Sequence, residues 1–232
     1  VGNAAAAFAL QRLGRDVVRI DTVRFSNHPK HGGFAGGPAP AGEIDALIEG
    51  LARRGLLVGI GAALSGYLGT AANGEAVARA VMAVRAVRPD ALYCLDPVIG
   101  DKPAGRFVAA DIPAVISERL LPLADILTPN VFELEELTGR TVDTPTAAVG
   151  AARDLLERAR RAAHRLKLVV TTGLRTPAGI AMVATTAGGA WRAETPEVAA
   201  PAYGAGDLFC AIFLGRYLEL GRPDGALALA AS

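Results

Sequence analysis

The sequence predicts an α/β fold: an open, mostly parallel sheet with helices on both faces and an antiparallel hairpin at one edge. Three observations carry this. Short apolar runs followed by turn signals alternate with longer helical patterns along the chain, as β–α–β units do. A late pair of strand-like runs is separated by Gly188-Gly189, a turn that joins antiparallel neighbours. The chain has 232 residues, 51% hydrophobic and 20% charged, so one domain can bury a large core.

In order, the apolar strand-like runs are 17–20, 57–64, 91–95, 125–128 and 168–172. Helical patterns occupy 44–53, 74–88, 112–121 and 146–165. Strands over 180–186 and 190–195 form the hairpin, an edge that mixed sheets commonly carry. Residues 29–42 hold five glycines and three prolines, which favours a flexible flap over regular structure. A flap fits chemistry that must exclude water, and a passive surface loop fits the same composition. Residues 158–165 are basic and read as a solvated helix face.

The segment Tyr203-Gly204-Ala205-Gly206-Asp207 carries the most chemical information. Two glycines let a backbone turn approach a bulky anion, and an apolar helix follows. Helix N-termini present unpaired N–H groups and a positive dipole end, which suit phosphate. Asp207 then stands where a hydroxyl must lose its proton, the layout of a small-molecule kinase; alone it reads equally as an N-cap. Asp96-Pro97 follows a strand, at the sheet end where open α/β sheets bind ligands. Thr128-Pro129-Asn130 precedes a helix start, and Asn130 and Glu133 share one side of its first turn. Asp96 and Glu133 are hard oxygen ligands suited to Mg²⁺, while Asn130 and Glu133 at this spacing also read as a capping box. No Gly-x-x-x-x-Gly-Lys-Ser/Thr segment is present, so the P-loop route to ATP is absent.

Together these residues resemble the ribokinase-like superfamily and, within it, the pyridoxal kinases. Val1-Gly2-Asn3-Ala4-Ala5 is similar to the helix opening after the family's first strand. Thr22 to His28 resembles the substrate-side signature, with Pro29 where Thr is usual. Residues 64–69 resemble the segment whose aromatic, here Tyr67, lines the pyridoxal pocket. Residues 96–101 resemble the nucleotide-side Asp-Pro-Val-Met-Gly-Asp, with Ile99 for Met. Thr128 to Glu133 resembles the Asn-x-x-Glu magnesium motif, and Gly204 to Asp207 the anion hole and catalytic Asp.

The resemblance implies a three-layer α/β/α sandwich and ATP-dependent phosphorylation of the 5′-hydroxymethyl group of pyridoxal. It implies Asp207 as base and Gly204, Ala205 and Gly206 as anion hole. Val23, Phe25, Pro29, Lys30 and Tyr67 would meet the substrate. Asp96, Asp101, Phe107, Thr128, Glu133, Thr171 and Thr195, Pro196, Glu197 and Val198 would line the nucleotide. Mg²⁺ on Glu133 and Asp96 is expected, and a monovalent cation and a homodimer are further family expectations. Residues 1–232 would be one kinase domain; the family's first strand would precede Val1 and a helical segment beside the adenine would follow Ser232. Rivals are a hydroxymethylpyrimidine kinase, which commonly has Cys at the place of Asp207, a sugar kinase, and a silent pyridoxal-binding protein.

Net charge is +1 with no long run of one sign, so nucleic acid and membrane partners gain no electrostatic support. Cys94 and Cys210 sit in apolar contexts, as small core residues of a reduced cytoplasmic protein do. His28 and His31 are near in sequence, but no Cys/His cluster has zinc-like spacing.

Overall fold

The computed structural model describes residues 2–198 and 203–232. Val1, where the predicted first helix opens, lies outside them. Helix α1 runs over Gly2–Arg12. A six-stranded sheet forms the middle layer, built from β3 (Ala62–Ser65), β4 (Leu92–Leu95), β7 (Ile126–Leu127), β8 (Leu168–Thr176), β9 (Gly179–Thr185) and β10 (Ala190–Thr195). Its order is β10-β9-β8-β7-β4-β3. The pairings β3/β4, β4/β7 and β7/β8 are parallel, and β9 and β10 close one edge antiparallel.

Alternation along the strands sorts side chains into the two cores. Tyr93, Leu95, Leu127 and Val169 point to one face, with α3 (Ala71–Val87), α5 (Val131–Thr138) and α6 (Pro145–Arg161) packed on it through Val81, Leu134, Ala148 and Leu155. Cys94, Ile126, Leu168 and Val170 point to the other, against Cys210, Phe213 and Leu214 of α7 (Ala205–Leu220) and Leu227 of α8 (Pro223–Ala230). Helix α1 lies against α7 through Ala6, Ala9 and Ala211. The result is the three-layer α/β/α sandwich. Cys94 and Cys210 are free and buried, their sulfurs 3.7 Å apart across the sheet–helix interface.

Several local expectations are corrected. Residues 17–20 form no strand, because their backbone finds no ladder partner. The run 57–64 begins as a 3₁₀ turn, Leu56–Gly59, and only its end joins the sheet as β3. The helix expected over 112–121 starts as α4 (Ile112–Val115) and widens into a π-turn over Ile116–Leu120. The Gly-rich segment 29–42 is ordered. It forms a 3₁₀ turn (Pro29–His31) and strand β2 (Gly36–Pro38), which pairs antiparallel with β1 (Val23–Phe25). Helix α2 (Ala41–Arg53) follows at once. Residues 100–106 form a second small ribbon, β5 (Gly100–Asp101) against β6 (Gly105–Arg106).

Asp125, at the start of β7, is nearly buried and gathers three cations. It pairs with Arg85, with Arg165 at 3.2 Å and with Lys167 at 3.9 Å, and it accepts the Tyr93 N–H at 2.8 Å. Arg165 stays exposed, as read from 158–165, while its guanidinium reaches Asp125, and Arg160 and Arg161 pair on the surface with Glu157. This network sits at the N-terminal end of β7, opposite the end that leads into Thr128.

Candidate active site

The carboxyl ends of β3, β4 and β7, the β1–β2 ribbon, the β5–β6 ribbon and the N-terminus of α7 border one end of a cavity of about 1860 Å³, which continues along β3 past α1, residues 15–21 and α2. Asp96 follows β4, Thr128 follows β7 and Tyr67 follows β3, so three strand ends deliver three side chains to one place. Gly204 caps α7 with φ 87°, a left-handed conformation that favours glycine. It turns the chain so that the first amides of α7, which have no partner inside the helix, open into the cleft. Asp207 is the third residue of that helix. Its carboxylate lies so close to α1 that a methyl group on Gly2 would stand 2.4 Å from Oδ1. Gly66 approaches the same oxygen from the end of β3. Burial raises the Asp207 pKa above the ordinary carboxylate value.

Asn130 caps α5 in a complete capping box. Its side chain accepts the Glu133 N–H at 3.0 Å, and Glu133 Oε2 accepts the Asn130 N–H at 2.8 Å. The other oxygen, Oε1, accepts the Ile99 N–H at 3.0 Å, and Asn130 donates to the Gly100 carbonyl at 2.8 Å. The box therefore bolts the β5–β6 ribbon to α5. Burial pushes the Glu133 pKa up to about 7 against those backbone donors. Asp96 is raised well above its usual value by burial, then by the charges of Glu133 and Asp207. Three carboxylates thus share an environment short of positive charge. Among the described residues no three His, Cys, Asp or Glu side chains form a preformed metal cage. Mg²⁺ in phosphoryl-transfer sites takes one or two carboxylates and completes its shell with water and phosphate, so Asp96 and Glu133 fit that ion.

The β1–β2 ribbon forms the opposite wall. Thr22 donates to the Tyr67 carbonyl at 2.6 Å, and buried Asn73 donates to the carbonyls of Thr22 and Leu68. The tip of the ribbon reaches the Tyr203–Gly204 turn before α7. His28 stacks on Tyr203 with ring centroids 4.4 Å apart, and His31 meets the same ring edge-on at 5.0 Å. Burial, then the charges of Lys30 and His31, lower the His28 pKa.

A family model described as phosphomethylpyrimidine kinase matches residues 54–230. Pyridoxal kinase PdxY of Deinococcus radiodurans is 44% identical, with all of this chain and 79% of that protein covered. Pyridoxal kinase PdxY of Rubrobacter xylanophilus is also 44% identical, covering all of this chain and 80% of its own. The chain belongs to the pyridoxal kinase family. Among solved structures, pyridoxal kinase of Leishmania donovani in complex with ADP and pyridoxamine superimposes with a TM-score of 0.88 at 28% identity, over 100% of this chain and 79% of that one.

Of the residues singled out in the sequence, the cleft gathers Asp207, Gly204, Ala205, Gly206, Val23, Phe25, Pro29, Lys30, Tyr67, Asp96, Asp101, Phe107, Thr128 and Glu133. The others lie elsewhere. Thr171 is fully buried inside the sheet, paired across to Val183, and Thr172 takes the cleft-facing position. A one-residue shift on a strand moves a side chain to the opposite face. Thr195 ends the edge strand β10 opposite Ile180, and Glu197 pairs outward with Arg175. Pro196 and Val198 are exposed beside them, away from the cleft-lining residues. Lys30 does not point toward the Tyr67 side: its ammonium pairs with Asp101 at 3.1 Å. Asn73 and the His28–Tyr203 stack escaped sequence reading, although an Asn inside an apolar helix three residues after the capping Thr70 was a usable signal.

Proposed function

We propose that this chain transfers the γ-phosphoryl group of ATP to the 5′-hydroxymethyl oxygen of pyridoxal, with pyridoxine and pyridoxamine as related acceptors. Asp207 carries the reading: a partly buried carboxylate of raised pKa, seated at an open helix N-terminus in a cleft that also holds an acidic pair and an aromatic ring. A raised pKa suits a base that must take a proton near neutrality. The acceptor oxygen forms a bond to the γ-phosphorus as its proton passes to Asp207. The bond from that phosphorus to the β–γ bridging oxygen breaks, and its electron pair leaves with ADP. The amides around Gly204, Ala205 and Gly206 receive charge on the transferring oxygens.

Glu133 and Asp96 would hold Mg²⁺ directly or through water, and that ion would neutralise phosphate charge. Tyr67 would face the pyridine ring, with Val23 and Phe25 beside it and Pro29 at the rim. Thr128 and Thr172 would border the phosphates, and Asp101 and Phe107 the nucleotide side. A homodimer, a cytoplasmic location, a single kinase domain and a monovalent-cation requirement belong to the same reading. Sedimentation, cell fractionation, limited proteolysis and K⁺ titration test them in turn.

A second reading, with hydroxymethylpyrimidine as acceptor, draws support from the matching family model, which is described as phosphomethylpyrimidine kinase. Phosphorylation assays with pyridoxal, hydroxymethylpyrimidine and ribose, each with Mg-ATP, separate the readings. Pyridoxal should turn over with the highest kcat/KM. Asp207→Asn should lower kcat about 10²–10⁴-fold with ATP binding retained. Near-normal turnover in that variant would remove Asp207 from the mechanism.

A further inference from the structure

The cleft is crowded with carboxylates and poor in cations. Asp96, Asp101, Glu133 and Asp207 all line it. Most of its basic side chains are committed elsewhere: Arg15 donates to the Gly215 carbonyl, Arg19 pairs with Asp21, Arg24 with Glu43, and Arg88 with Asp90. Beside the cleft, Lys102 and Arg106 of the β5–β6 ribbon turn outward to Glu135 and Glu136. Lys30 differs from these. It stands at the tip of the β1–β2 ribbon, yet its ammonium reaches across the cleft to Asp101, 71 residues away in sequence, at 3.1 Å. It also lies 5.9 Å from the Phe107 ring centroid and 6.0 Å from that of Tyr203, the residue just before the anion-hole glycine.

The placement is built. Pro29 opens a 3₁₀ turn whose cap, His28, accepts the Lys30 N–H at 3.3 Å and stacks on Tyr203. The backbone of Lys30 is therefore tied to the start of α7, while the four-carbon stem stays free to swing. Both partners of the Lys30–Asp101 pair are more than a third exposed, so releasing the ammonium from Asp101 costs little.

Resting on the kinase reading above, we infer that Lys30 is a further catalytic residue. Its ammonium, paired with Asp101, moves to the γ-phosphate of ATP and stabilises the charge of the transferring group. A lysine serves phosphate as a mobile point charge, and a cation delivered from a separate segment is a strong lever on phosphoryl transfer. The bonds made and broken are those of the transfer itself; Lys30 keeps its proton throughout. Because the ribbon tip is already held at Tyr203, only the Lys30 side chain has to move to complete the charge at the γ-phosphate.

The test compares the wild type with Lys30→Met, Lys30→Arg and Asp101→Asn. Equilibrium affinities for ADP and for a non-hydrolysable ATP analogue are measured, and then kcat and both KM values. Lys30→Met should weaken the ATP analogue about 10-fold more than ADP and lower kcat about 10²-fold. It should leave the pyridoxal KM within about 2-fold, and Lys30→Arg should restore most of the loss. Asp101→Asn, itself on the nucleotide side, should shift ADP and the ATP analogue alike, because it frees the ammonium without removing it. The same selective loss of the ATP analogue in both variants would make the pair a mere strut and overturn the inference. So would an unchanged ATP-analogue affinity in Lys30→Met, or a loss confined to the pyridoxal KM. The binding arm needs no turnover. A wild type inactive on every acceptor would sink the kinase reading, while the analogue affinities would still decide Lys30.

Discussion

Glu133 both caps α5 and lines the cleft, and its protonation should be visible in stability. Its pKa rises from an ordinary 4.5 to about 7 because it is nearly buried, at 3% exposure, beside other acidic groups. At about 1.4 kcal/mol per pH unit, that shift is worth about 3 kcal/mol. The folded state holds the proton more tightly than the unfolded state. This contribution is therefore fully present below about pH 4.5 and is lost as pH rises through about 7.

Urea unfolding in the presence of a chelator should show wild-type stability falling by roughly 2 kcal/mol between about pH 5 and about pH 8 from this group. Glu133→Gln removes the titration. It keeps only one acceptor oxygen for two N–H donors, Asn130 and Ile99, so it should also lose about 1–3 kcal/mol at every pH. The slope is the readout, and the variant should lose about 2 kcal/mol less across the window. Equal slopes in both proteins would falsify the assignment of this proton to Glu133.

Three further outcomes are expected. Thr171→Val removes a buried hydroxyl that has no hydrogen-bond partner, so it should stabilise the chain by about 1 kcal/mol and leave the ATP KM alone. Thr172→Val should raise the ATP KM instead; the reverse pattern would return Thr171 to the site. Asp125→Ala strands Arg85 and the Tyr93 N–H and should cost about 3–5 kcal/mol by chemical denaturation. Activity per folded molecule should be unchanged, and a stability loss under about 1 kcal/mol would show that the network carries little. Pro29→Thr restores a hydroxyl at the ribbon tip and should lower the pyridoxal KM about 2- to 13-fold, one neutral hydrogen bond's worth, with the ATP KM steady. A higher pyridoxal KM would place residue 29 off the substrate.

The sequence by itself determined what local pattern can encode. Strand–helix alternation set the α/β class, because periods of two and of about 3.6 residues follow from backbone geometry alone. The Gly188-Gly189 turn set the edge hairpin. Gly204 to Asp207, Asp96-Pro97 and Asn130 to Glu133 were legible because each motif is short and its chemistry local. Only the tertiary structure decided the rest. Residues 17–20 have strand composition but no ladder partner, and 29–42 have loop composition but pair with β1, since pairing depends on what lies alongside. Thr171 and Thr172 differ in placement by one step of register, which the neighbouring strands set. Asp125 with Arg85, and Lys30 with Asp101, join residues 40 and 71 positions apart. The charge a carboxylate or an ammonium feels depends on neighbours brought by the fold, and no spacing in the chain records them.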